Sequence, residues 1–262
     1  MKFKKIYIVG SGSICISILK SLIKDEYNPV MILYKEHNIS MLGNFVKNNN
    51  IENYSFDNKA EITIFLEKVR EKALIISANN VYLFPSIIVD KENLKIINFH
   101  NALLPRHRGM NAPTWTIYEM DKEAGITWHL VNKNIDDGEI IIQKKINLNG
   151  TETAIYLIKQ LMNLAFVAFE EIKYDLLDWN LKTYPMRNDI QYQIHYSKDI
   201  PNNGIYNESW SFQQKSAFLR SLDWGCIPQF PQPIIKTSNG DLIIENYKIN
   251  ENKIEICTRP IL

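Results

Sequence analysis

Cysteine is scarce in this 262-residue sequence: Cys15, Cys226 and Cys257 form no C-x-x-C pair and are odd in number. This excludes a disulfide framework and a cysteine-based zinc site, leaving ordinary thiols of a reducing compartment. An excess of either charge is also missing. Lys and Arg number 30 and Asp and Glu 29, for a net charge of +1. Such a balance gives no field that gathers nucleic acid or an anionic membrane over a distance. No apolar run reaches the roughly 18 residues that span a bilayer. The basic start Met1–Lys5 and apolar Ile6–Val9 imitate a signal peptide, but Gly10 breaks the run and no cleavage site follows. The expected location is therefore the cytoplasm. A dinucleotide fingerprint is incomplete as well. Gly10-Ser11-Gly12-x-x-Cys15 lacks its third glycine, and no acid is clearly placed after the second strand. The motif reads as a turn into a helix.

What is present is a core: 45% of the residues are hydrophobic. Short β-rich runs at 4–9, 29–34, 73–77 and 94–99 alternate with helical spacing at 14–22, 41–47 and 60–72. Residues 53–56 allow one more short strand. This alternation predicts an α/β fold, a Rossmann-like mostly parallel sheet with helices on both faces. Beyond Phe99 a loop, a helix at 113–120, strands at 125–131 and 139–146, and a long helix at 151–177 are expected, with Thr151 as its cap. A polar, extended stretch then leads to a helix at 212–222, a hairpin around Ser238-Asn239-Gly240-Asp241 and a last strand at 253–257. The expected division is a catalytic domain over 1–185 and a small β-containing appendage over 186–262.

The chemistry concentrates between Asn98 and Ile141. Asn98 and His100 lie two residues apart at a strand end, so both side chains leave the same face. The carboxyl ends of strands are where α/β sheets bind ligands. Asp136 sits in a polar loop between two strands and can return to the same place. Acyl transfer to an amine uses such a trio. An imidazole removes the amine's proton, a neutral amide donates to the developing oxyanion, and a carboxylate orients the imidazole. Singly, each also fits an ordinary role: a hydrogen-bonded histidine, a loop amide, an Asp-Asp-Gly turn.

Together they resemble the formyltransferase family, which includes methionyl-tRNA, glycinamide ribonucleotide and nucleotide-sugar formyltransferases. Its pattern N-x-H-x-S-L-L-P, R-G, G-[IV]-T-x-H and D-x-G-x-I-I is matched by Asn98, His100, Leu103-Leu104-Pro105, Arg108-Gly109, Gly125-Ile126-Thr127, His129, Asp136, Gly138 and Ile140-Ile141. The family's serine is replaced by Ala102, which removes a hydroxyl but leaves the loop backbone. The resemblance implies a catalytic triad of Asn98, His100 and Asp136 and 10-formyltetrahydrofolate as cosubstrate, with no metal. It implies a folate held largely by main chain at Tyr82, Leu83 and Phe84, at Ala102, Leu103, Leu104 and Pro105, and at Asn132, Lys133, Asn134 and Ile135.

The acceptor amine is read from the tail. Tyr196–Trp224 is loosely similar to the start of the C-terminal region of methionyl-tRNA formyltransferases. Too few strands follow for a five-stranded OB barrel, and Lys and Arg are few there. Amino-sugar N-formyltransferases resemble the chain better, which implies a nucleotide-linked amino sugar, with Arg106, Arg108, Trp115 and Trp128 as acceptor-binding candidates. Another small amine and methionyl-tRNA are the alternatives, and a non-catalytic or NAD-binding Rossmann module is the reading from another class. A homodimer is expected through the tail hairpin.

Overall fold

The computed structural model describes residues 2–34, 40–187, 192–251 and 253–261. Its first elements are β1 (Lys5–Gly10), α1 (Gly12–Lys24), β2 (Val30–Tyr34), α2 (Met41–Asn48), β3 (Asn53–Phe56), α3 (Lys59–Lys68), β4 (Ala73–Ala78), α4 (Ser86–Val89) and β5 (Leu94–His100). Then come β6 (Arg108–Gly109), α5 (Ala112–Tyr118), β7 (Glu123–Leu130), β8 (Ile140–Asn147) and α6 (Ala154–Asp178). The tail holds β9 (Ile194–His195), a 3-10 turn at Pro201–Gly204, β10 (Ile205–Tyr206), α7 (Phe212–Leu222), β11 (Ile234–Ile235), β12 (Leu242–Ile249) and β13 (Ile254–Pro260). No described helix is long and apolar enough to cross a membrane.

Seven strands form one sheet in the order β3-β2-β1-β4-β5-β7-β8. The first five are parallel, and β7 runs antiparallel to β5. β2 and β4 are buried along their whole length, which requires cover on both faces. One face packs Tyr7, Val9, Ile32 and Ile75 against Ile62 and Leu66 of α3 and Ile88 of α4. A polar residue inside these runs is therefore conspicuous, and Ser77 at the end of β4 is one.

Two expected boundaries shift for local reasons. α3 stops at Lys68, because Val69 is extended and the Asn93 amide holds the carbonyls of Val69 and Glu71. α6 starts at Ala154, not at Thr151. The Glu152 carboxylate accepts from the N–H groups of Asn149 and Gly150, and the Thr151 hydroxyl donates to Asn149.

By contacts the chain divides into two compact units that alternate along the sequence. The first comprises 1–105, 126–144 and 162–191; the second comprises 106–125, 145–161 and 192–262. Within the second unit, β10-β11-β12-β13 form a small sheet, and β12 and β13 pair as a long antiparallel hairpin. This unit has a core of its own: Tyr206, Phe218, Leu219, Ile235 and Ile244, with Tyr118 and Trp210 against it. Trp224 is buried too, its indole donating to Thr114 of α5.

Candidate active site

The first unit brings Asn98, His100 and Asp136 together. β5 ends at His100, and the pleat sends Asn98 and His100 to one side. The loop before β8 turns back at Asp136, which adopts a left-handed φ of 46°. His100 Nδ1 lies 3.4 Å from Asp136 Oδ2, and both side chains are largely buried. The loop's shape depends on Gly138. A Cβ there would stand 1.7 Å from the carbonyl oxygen of Leu130, so no other residue fits without moving the backbone. Asn132 and Asn134 lace the same turn to Asp137.

Strand register supplies two groups that the sequence reading gave no role. Ser77 of β4 and His129 of β7 flank Asn98 on its two neighbouring strands. The Ser77 hydroxyl donates to Asn98 Oδ1 at 2.7 Å. The Asn98 amide nitrogen lies 3.2 Å from His129 Nε2 and 3.5 Å from Asp136 Oδ1. His129 Nδ1 is 2.8 Å from the Leu130 carbonyl, so Nδ1 carries the proton and Nε2 accepts from Asn98. The amide is thus fixed end to end. Its oxygen faces Ser77, and its N–H₂ faces the histidine and the carboxylate. Asn80 extends the chain, donating to Ser77 Oγ and to the carbonyl of Tyr82, and accepting from the Tyr82 N–H. Ser77 is a lone hydroxyl in a buried run, and His129 belongs to the G-I-T-x-H strand. Their relation to Asn98 follows from pairing, which no local pattern reveals.

The loop after β5 is pinned by buried polar groups. Thr127 donates to the Ala102 carbonyl and accepts from the Leu104 N–H, while Gln143 donates to the Leu104 carbonyl. The Leu104–Pro105 peptide is cis. A cavity of about 470 Å³ opens beside Leu104 and Pro105 and is lined further by Ile140–Gln143 and Tyr184. It is distinct from the cluster at Asn98. The other segments expected to hold folate stand as follows. Tyr82 is a core residue whose hydroxyl pairs with Thr63, and its main chain is held by Asn80. Leu83 is exposed and Phe84 half-buried beside it. Lys133 pairs with Asp90 at the surface. Val81, like Leu83, is exposed.

The acceptor candidates fare differently. Trp128 is fully buried and donates to the Ala165 carbonyl, so it packs the core and offers no ligand surface. In the second unit Arg106 bonds Asp121 twice and Glu119 once, which commits its guanidinium to carboxylates within the chain. The Asp121 carboxyl is pushed up by burial, but hydrogen bonds from His107 and Arg106 outweigh this and hold it below the usual range. Arg108 lies in β6, paired with Ile194 of β9. Trp115 is half-buried and stacks on His195 with ring centroids 4.0 Å apart at 9°. At Gly109 φ is +89°, and a Cβ would meet the His195 carbonyl oxygen at 2.1 Å, so this close strand pair requires glycine.

Known proteins are similar to this chain. A GDP-perosamine N-formyltransferase of Brucella melitensis is 28% identical over 163 residues, which cover 62% of this chain and 60% of that protein. A methionyl-tRNA formyltransferase of Flavobacterium johnsoniae is 26% identical over 175 residues, covering 63% of this chain and 55% of that one. The chain thus spans little more than half the length of these relatives. Among solved structures, an N-formyltransferase of Helicobacter canadensis, in complex with folinic acid and dTDP-3-aminofucose, superposes with a TM-score of 0.74 at 17% identity. That match covers 97% of this chain and 95% of the other, and it shows the shared fold. Residues 23–169 match the formyl transferase family model, more than half of the sequence, and the chain belongs to that family.

Proposed function

We propose that this protein is a cytoplasmic N-formyltransferase that moves a formyl group from 10-formyltetrahydrofolate to the amine of a nucleotide-linked amino sugar. The observation that carries the reading is the approach of His100 to Asp136 at 3.4 Å, beside an Asn98 amide held in one orientation. When bound, the cosubstrate supplies the formyl carbon. His100 accepts a proton from the incoming amine as its nitrogen bonds the formyl carbon, and that proton goes to N10 of tetrahydrofolate as the bond from N10 to the formyl carbon breaks. Asn98 has two amide protons. One meets His129; the other lies toward Asp136 Oδ1 at 3.5 Å, a long contact that an oxygen developing negative charge replaces. Asp136 orients the His100 ring and favours its protonated form. Ser77 and His129 keep the amide from flipping, which would turn its oxygen toward the developing charge.

Support for an amino-sugar acceptor comes from the Brucella relative and the Helicobacter complex. The near-zero net charge weighs against a tRNA stem, which needs a broad basic face. The test is a panel of amines incubated with 10-formyltetrahydrofolate and read by mass gain of one formyl group. GDP-perosamine and dTDP-3-aminofucose should gain it, whereas methionyl-tRNA and free amino acids should not. Formylation of methionyl-tRNA alone reverses the assignment.

A further inference from the structure

The cavity beside Leu104 and Pro105 lies wholly within the first unit, between that loop, the start of β8 and the stretch from Tyr184 to Arg187. The chain itself pins both walls. Ile140 and Tyr184 exchange two backbone hydrogen bonds of 2.8 Å, and the Gln143 amide donates to the Leu104 carbonyl and to Thr127 Oγ1. A volume of about 470 Å³ falls in the range of small-molecule sites. Leucine, isoleucine and proline make most of the lining apolar. Arg187 is the exception. It is exposed, and its guanidinium has no carboxylate or hydrogen-bond partner among the described residues. The Tyr184 hydroxyl likewise makes no hydrogen bond among them.

We propose that this cavity is a second ligand site, separate from the candidate centre, for a small molecule with an apolar body and one carboxylate. The isoleucine and proline walls take the body. A guanidinium meets a carboxylate with two parallel N–H donors, and a phenolic hydroxyl can donate to the same group. The lining holds one cation, which balances one negative charge. A phosphate dianion would keep part of its charge unmet beside apolar walls, at a cost in desolvation. The occupant is not the cosubstrate's pterin. Of the segments expected to hold folate, only Leu104 and Pro105 reach the cavity, and no residue of Tyr82–Phe84 or Asn132–Ile135 lines it. Leu104 and Ile140 follow His100 and Asp136 by four positions each, so the occupant rests against both segments that carry the candidate centre.

Isoleucine methyl resonances of the ¹³C-labelled full chain report the site directly. Naphthylacetate should shift the methyls of Ile140 and Ile142 to saturation, with a Kd on the order of 1 mM. Those of Ile8 and Ile76, in the core of the sheet, should stay in place. Naphthylethanol, matched in size but neutral, should bind about 5-fold more weakly. Arg187→Gln, at an exposed position, should abolish that preference. Folinic acid at micromolar concentration should leave the shifts unchanged. The absence of a saturable shift with naphthylacetate would overturn the proposal. Equal affinity for the acid and the alcohol would do so too, a comparison that needs no variant, as would a preference that survives Arg187→Gln. Displacement by folinic acid would make the cavity part of the cosubstrate's site and end the proposal. Tighter binding of naphthyl phosphate than of naphthylacetate would make it a phosphate site, with the same result.

Discussion

At the scale of single residues, the candidate centre is a matter of orientation as much as identity. Asn98 is useful only with its N–H₂ toward Asp136, and Ser77 fixes that choice by donating to the amide oxygen. Ser77→Ala should therefore lower kcat by about 10-fold with little change in KM, because a buried acceptor loses its donor while the acceptor amine still binds. Steady-state kinetics at saturating cosubstrate separates the two constants. Asn98→Ala and His100→Ala should be harsher, about 10²–10⁴-fold each in kcat, with the fold retained by circular dichroism. Turnover near wild type in both would remove the mechanism. Asn98, His100 and Asp136 were legible in the sequence because family motifs mark them. Ser77 and Asn80 were not, since a serine at the end of a buried strand signals nothing until the register sets it opposite Asn98.

At the scale of elements, the β5–β7 pairing and the turn after β7 do the positioning. The alternation of strand and helix was readable from residue 4 onward, and α7 at Phe212–Leu222 fell where a helix was expected, with a capping box at Ser211 that the sequence reading did not use. Short pieces were not readable. β6, β9 and β10 are two residues each and have no periodicity to detect. Trp128 was misjudged for a related reason. An aromatic in a strand looks alike whether it faces a ligand or the core, and here it faces Phe169. The turn after β7 allows a sharp test. Gly138→Ala forces a methyl onto the Leu130 carbonyl, so Tm should drop by on the order of 10 °C and activity should collapse as Asp136 moves. A variant with wild-type melting and turnover would show that the loop does not depend on this glycine.

At the scale of the whole molecule, buried His195 gives stability a pH dependence. Burial first, then the charges of His107 and Arg106, lower its pKa from 6.5 to about 4, against a smaller opposing pull from Asp199. The unfolded chain therefore binds a proton that the folded chain refuses between those values. Its contribution is fully present above pH 6.5 and is lost as pH falls toward 4, on the order of 2–3 kcal/mol. Thermal melts across that window should show a falling Tm, with a shallower fall in His195→Gln; parallel curves would assign the acid sensitivity elsewhere. The tail sheet also ends on β13, an edge strand, and pairing of two such edges is the expected route to a homodimer. Light scattering at micromolar concentration should give about twice 30.6 kDa, and a monomer would refute it. A single linear boundary was expected near residue 185, whereas contacts join 106–125 and 145–161 to the tail. Truncation at that point leaves two segments of the second unit stranded in the remaining protein. A protein engineer who grafts on a new C-terminus would carry over His195 but not Trp115, on which it stacks. A unit woven from three stretches of chain can be transplanted only as several spliced pieces, and no single recombination event exchanges it whole.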